Sequence, residues 1–431
     1  MNLKYLKKKN VILFFKSKLI IFILSLPLMS CLNNETIKGN RQDLYQQEMD
    51  KYLVNDAQDI KLSSQKTITS IQQVDNGPTH LFEHSKFDGS LTKLWEATLK
   101  NRGNISAPIF SNKNIYILDG RANLYSFNLD GKKDWIISLS PYEEKNQKTH
   151  HSGGIAIDKN NLYVATGFGE VFSIDLAGSI KWKKRFDSPF RGAPVYYGDK
   201  IFIINASNLA IALNKKGETI WTLKGATRPT LLMNGPSPAI DSNKLILPFS
   251  SGQMTVVRPN NGSEIWSKSF DKGNKGESYS VIGDFGGSPI IKSNKVFALS
   301  TSGQFLALNF ISGRKIWSLP VGSNSTPLIN GGSVFVVSAK GKLVRINEKT
   351  GKVIWSRNIS KQNSSNKFFG PTLAGNFLWI AGTDGYLRKF NPSTGKQILQ
   401  YRLGSPALYR PFAVHNKLFI ITKSGKIIAY N

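Results

Sequence analysis

Seven tryptophans recur along the chain, at Trp95, Trp135, Trp182, Trp221, Trp266, Trp317 and Trp355, at intervals of 40, 47, 39, 45, 51 and 38 residues. An eighth slot, 44 residues further on, holds Leu399. Between successive slots the sequence repeats one layout, seen most cleanly over residues 288–317. Pro289 opens Ile290-Ile291; Asn294 breaks the chain before Val296-Phe297-Ala298-Leu299; Gly303 breaks it before Phe305-Leu306-Ala307-Leu308; a turn then leads to Trp317. Short apolar runs bounded by Gly, Asn and Pro read as strands, because those residues supply the backbone angles that tight turns need. A period of 40 to 50 residues with about four strands per unit predicts an all-β, eight-bladed β-propeller.

The other markers keep the same period. A Pro opens the unit at Pro108, Pro194, Pro238, Pro289, Pro327, Pro371 and Pro411, and Gly153-Gly154 stands in the remaining one. The last unit ends at Asn431 without a Trp strand, and the segment around Trp95 has no opening strands before it. The two halves predict a ring closed by the N-terminal strand joining the C-terminal blade, which removes an exposed sheet edge. The propeller is expected over residues 87–431.

Ahead of it, six lysines precede an apolar run from Leu19 to Leu28, with no acidic residue in the first thirty. This reads as a secretory signal over residues 1–30, too short in its apolar part for a spanning helix. Leu28-Met29-Ser30-Cys31 resembles the bacterial lipobox, and Cys31 is the only cysteine. The expectation is a lipidated Cys31 on the mature chain, whose several acyl chains give stable anchoring. Leu32, where an Asp would favour inner-membrane retention, points to an outer-membrane anchor facing the periplasm. Residues 31–86 are polar and match no repeat, so they read as a flexible tether, with a possible short helix over 42–54.

The chain carries 57 Lys and Arg against 28 Asp and Glu, a formal charge of +29 that falls to +23 without the six lysines of the signal. Such an excess raises nucleic acid as a partner, but an exported chain meets none. Anionic lipid head groups or an acidic protein face remain. Enzyme chemistry is thinly supplied: there are five histidines, His150-His151 has no Cys or carboxylate cluster at ligand spacing, and no nucleophile elbow or phosphate loop is present. Neither a catalytic residue, a metal ligand nor a bound cofactor is therefore expected.

Two stretches interrupt the repeat. One is Arg228-Pro229-Thr230-Leu231-Leu232-Met233-Asn234-Gly235, after Trp221; the other covers 273–287 and includes Asp284. Both lie where a Trp strand hands over to the next blade, so both reach one rim on adjacent blades. An apolar trio beside an Arg, next to a carboxylate, suits a protein interface with apolar anchors and a charged orienter.

The repeated pattern Ile346-Asn347-Glu348-Lys349-Thr350-Gly351-Lys352-Val353-Ile354-Trp355 resembles the repeat of pyrroloquinoline-quinone (PQQ) enzymes. Joined to a lipobox and eight blades, it is similar to the BamB family, outer-membrane lipoproteins of the β-barrel assembly (BAM) machinery. The resemblance covers nearly all of residues 87–431. It implies a non-enzymatic scaffold that binds the POTRA domains of BamA, with other BAM components and nascent outer-membrane proteins as further partners. It also implies a partner-binding set of Arg228, Leu231, Leu232, Met233 and Asp284. Two positions depart from the family pattern: Met233-Asn234 stands where an Arg usually follows the apolar trio, and Gly286 where the family can have a second acid. The alternatives are a PQQ-dependent periplasmic dehydrogenase and a ligand- or cell-wall-binding propeller. For the dehydrogenase, a lone Cys31 cannot form the vicinal disulfide that such enzymes typically stack on the quinone.

Overall fold

A strand at the heart of a propeller blade is covered on both faces by neighbouring blades, so it reads as a continuous apolar run, while the outermost strand alternates. The computed structural model follows this rule. It describes residues 53, 59–100, 105–111, 113–141, 153–226, 234–270, 284–301, 303–359 and 365–431, all within one unit, Tyr45–Asn431. Among them are eight four-stranded antiparallel sheets, hereafter blades 1 to 8. Blades 1 to 7 span 109–138, 154–185, 195–224, 239–269, 290–319, 328–358 and 368–402. Blade 8 takes three strands from 412–430 and its outer strand, Lys93–Thr98, from the front of the chain. The ring is closed as the repeat predicts, with Trp95 opposite Ala429 and Ala97 opposite Ile427.

In blade 5 the two central strands, Lys295–Leu299 and Phe305–Asn309, are buried almost throughout, and the outer strand Lys315–Leu319 is half exposed. Every outer strand is joined to its neighbour through a register shift. Such bulges bend and twist a strand and so protect an open edge from pairing with other chains.

The recurring Trp locks each blade to the next. Trp266 of blade 4 lies on Gly313 in the last turn of blade 5, where φ is +65° and a Cβ would come within 2.8 Å of the indole. Only a glycine satisfies both demands. The Trp266 indole N–H donates to the Phe310 carbonyl in the same turn, at 3.0 Å. The stacking repeats from Trp95 on Gly131 to Trp355 on Gly395, and the indole bond repeats from Trp95 to Trp317, whereas the Trp355 indole N–H has no partner. It also explains Leu399. A Trp there would need the corresponding turn of blade 8, but that blade's last two strands come from opposite ends of the chain and no such turn joins them. Without a platform, Leu399 is left 38% exposed.

One part of the chain differs from expectation. Residues 63–85, read from the sequence as tether, lie along the axis and bond to the inner strands. Ser63 pairs with Asn330 of blade 6, Ile68 accepts from His415 beside blade 8, and Ile71 exchanges two backbone bonds with Phe110 of blade 1. Gln72 accepts from Ile157 of blade 2, and the Gln73 amide clasps the Tyr196 backbone of blade 3 at 2.8 and 2.9 Å. Pro78 and Thr79 accept from Ile240 and Ile291 of blades 4 and 5, and Ser85 bonds to Leu373 and Gly375 at blade 7. Inner strands present unpaired backbone groups to the axis, and buried groups of that kind need partners. This segment supplies one at blades 1 to 5, 7 and 8, and at blade 6 it bonds to the Asn330 side chain. Cys31, expected from the sequence to be lipidated, and the possible helix over 42–54, apart from Leu53, lie outside the described residues.

Candidate partner-binding rim

In a four-stranded antiparallel blade the second turn and the crossover to the next blade share one end of the ring. The two interrupting stretches are crossovers: one joins blades 3 and 4, the other blades 4 and 5. They therefore emerge side by side on one rim. Arg228, Leu231, Leu232 and Met233 lie outside the described residues; Asn234-Gly235 and 284–287, which root the two loops, are described.

The structure places Asp284 at the root of its loop, fully buried, with Oδ2 accepting from Arg191 Nη1 at 2.8 Å. Arg191 is itself only 4% exposed and belongs to the crossover between blades 2 and 3. Its guanidinium passes beneath Gly235, whose N–H donates to the Arg191 carbonyl at 3.1 Å. One ion pair thus straps three successive crossovers together. The sequence suggested a charged group turned toward a partner; the carboxylate of Asp284 is instead turned inward and spent on Arg191. The reason is the loop's own backbone, which fixes the residue. The Phe285 N–H donates to Asp284 Oδ1 at 2.9 Å, the Asp284 carbonyl accepts from the Thr301 N–H and hydroxyl, and Phe285 is buried edge-on to Phe270, 4.9 Å between centroids.

A second polar chain ties these roots to the axial segment. The Ser237 N–H donates to Ser288 Oγ, the Ser288 N–H to Thr326 Oγ1, and the Thr326 hydroxyl to Asp75 Oδ2 at 2.7 Å. Beside it the buried Arg410 donates to the Thr326 carbonyl and lies 3.8 Å over the Phe82 ring. Burial pushes the Arg410 guanidinium down to about 10, against the opposing pull of Asp75. His80 bonds to the Pro289 carbonyl at 2.9 Å, and burial lowers its pKa, again opposed by Asp75. Most polar groups at the roots of the rim are paired inside, while the buried His80 Nε2 and Arg410 Nη1 have no hydrogen-bond partner.

Sequence reasoning missed Arg191 and Arg410. The signal for Arg410 was available: it directly precedes Pro411, where the other units have Ala107, Ala193, Ser237, Ser288, Thr326 and Gly370. Among the described residues no group of three or more His, Cys, Asp or Glu side chains could hold a metal ion.

The family profile of outer membrane protein assembly factor BamB matches residues 143–357. Outer membrane protein assembly factor BamB of Moranella endobia is 23% identical over 328 residues, covering 75% of this chain and 84% of the relative. Among solved structures, BamB from Moraxella catarrhalis superposes with a TM-score of 0.68 at 17% identity, covering 79% of this chain and 99% of that one. Quinohemoprotein alcohol dehydrogenase from Comamonas testosteroni gives the same TM-score of 0.68 at 13% identity, covering 84% and 80%.

Proposed function

As a member of the BamB family of PQQ-repeat propellers, the chain is, we propose, a non-enzymatic scaffold of the β-barrel assembly machinery in the outer membrane. In this reading a lipidated Cys31 anchors it facing the periplasm. The 228–235 and 277–287 loops bind the POTRA domains of BamA, other BAM components join the assembly, and the complex aids insertion of nascent outer-membrane proteins. The observation that carries the reading is the rim itself: two long loops on adjacent crossovers, rooted on one buried ion pair. Rigid scaffolds that present irregular loops are how propellers bind. Leu231, Leu232 and Met233 are the apolar anchors and Arg228 the charged orienter; Asp284 positions the loops from within.

The likeness to quinohemoprotein alcohol dehydrogenase favours a second reading, PQQ-dependent oxidation. Against it, residues 63–85 bond to the inner strands around the axis, and the single Cys31 can form no stacking disulfide.

The test is affinity capture of BamA from detergent extracts. Leu231→Asp with Leu232→Asp is expected to lower captured BamA about 10- to 100-fold, the size of losing interface anchors, at an unchanged melting temperature. Unchanged capture would remove the rim from the account. A quinone absorbance gained with PQQ and calcium would move the chain to the dehydrogenases.

A further inference from the structure

Seven of the eight junctions between blades are sealed toward the outside by an indole lying on a glycine of the following blade. The junction of blades 7 and 8 has neither part. Leu399 stands in the Trp slot. The outer strand of blade 8 meets its neighbour without a turn, through Leu91 N–H donating to the Asn431 carbonyl and Asn431 N–H donating to the Thr92 carbonyl. Aromatic contacts close the rest of this junction: Trp379 packs edge-on against Phe87 at 5.7 Å, and Tyr401 against Tyr430 at 5.6 Å. Leu399 stays outside the buried cluster that these residues form and is 38% exposed.

The side chain beside Leu399 also breaks the pattern. Directly opposed residues share one face of a sheet, and in blade 7 they run Trp379, Lys389, Leu399. Next to the Trp, blades 1 to 5 and 8 carry Ser126, Ser173, Ala212, Val256, Ala307 and Ala429, which leave room for the indole. Blade 6 carries Arg345, which donates to Ser333 Oγ and the Ser393 carbonyl. Lys389 is half-buried, with Nζ 4.0 Å from the centre of the Phe377 ring and 5.4 Å from that of Trp379. Among the described residues no carboxylate or other acceptor engages it, and burial pushes its pKa below the usual lysine value with no partner charge opposing. The outer strand Gln397–Arg402 contains no carboxylate and is bracketed by Lys396 and Arg402. On the blade 8 side, Glu96 is held by Lys93 and Lys426, and Asp88 by Lys86.

We infer that the junction of blades 7 and 8 is a binding site for a polypeptide end that carries an aromatic residue. Its ring would cover Leu399, where the other junctions hold an indole, and its terminal carboxylate would meet Lys389. Opposed side chains on neighbouring strands start about 5 Å apart, a separation that a ring and a carboxylate on one residue can span. The ring faces beneath Lys389 ease its partial burial, and a carboxylate adds a charge-assisted hydrogen bond that a neutral segment cannot give. The site lies between blades 7 and 8, away from the loops between blades 3, 4 and 5, and does not rest on the assembly role proposed above.

Full-length chain in detergent is titrated into three fluorescein-labelled peptides and read by fluorescence anisotropy: Gly-Ser-Gly-Ser-Phe with a free carboxylate, the same peptide as its amide, and Gly-Ser-Gly-Ser-Ala with a free carboxylate. The free Phe peptide is expected to bind about 10-fold more tightly than its amide, the size of a hydrogen bond to a charged group, and more tightly than the Ala peptide. Lys389→Met is expected to abolish the preference for the carboxylate over the amide. Leu399→Gln is expected to abolish the preference for Phe over Ala. Both variants should melt as the unaltered chain does, since neither side chain is fully buried. The peptide comparison on the unaltered chain decides the matter without any variant: equal affinity for acid and amide would overturn the proposal. A carboxylate preference that survives Lys389→Met would overturn it as well.

Discussion

A chain lacking residues 87–99 is expected to aggregate or be cut rapidly by protease, with no cooperative melting transition. The deletion removes the outer strand of blade 8, which pairs along Lys426–Tyr430. It also removes the Trp95 indole bond to the Leu129 carbonyl at 3.0 Å, which joins blade 8 to blade 1, and the edge-on packing of Phe87 against Trp379 at 5.7 Å. Phe87, Leu91 and Leu99 are buried in the intact ring, and each contributes about 1.5–3 kcal/mol by burial. Their sum approaches the whole stability of an ordinary domain, about 5–15 kcal/mol. The strand left behind, Lys-Ile-Ile-Ala-Tyr, would then be an open apolar edge. Size-exclusion chromatography with thermal melting checks this. A monomer that melts as the intact chain does would mean the ring does not depend on its front strand.

The second large effect concerns the strap beneath the rim. Removing one partner of a buried pair leaves the other charge without water or counterion, at a cost of about 3–5 kcal/mol. Asp284→Leu and Arg191→Met should each lower stability by that order, since both side chains are almost wholly enclosed. Replacing both, with Asp284→Leu beside Arg191→Met, should cost less than the sum of the single changes, because an apolar pair needs no charge compensation. Urea midpoints of the four proteins measure the coupling directly. Additive losses would show that the two groups do not act as a pair. Charge reversal at Asp284 would report folding as well as binding, which is why the interface test belongs on Leu231 and Leu232.

The ring was readable from the sequence because its main contact is periodic. A Trp can lie on a turn only where a glycine stands four residues ahead of the next blade's own slot, and this leaves matched marks such as Trp266 with Gly313. Even the exception was visible, as Leu399, though its cause became clear only from the missing turn in blade 8. The axial segment left no such mark. Most of its bonds are made by backbone groups, as at Ile71, Pro78 and Thr79, and almost any side chain could accompany them. Its polar composition therefore resembles a linker. The rim loops stood out as breaks in the period. What the spacing could not tell was the direction of the Asp284 side chain, since Arg191 lies 93 positions away and meets it only through the curvature of the ring.

The central claim, that the protein works through its loop-bearing rim and without chemistry of its own, is tested most directly by hydrogen–deuterium exchange of the full chain with and without purified BamA. The account predicts slowed exchange confined to the crossovers around 227–235 and 271–288, with the outer strands and the opposite end of the ring unchanged. Slowed exchange elsewhere, with both crossovers exchanging as in the free protein, would contradict it.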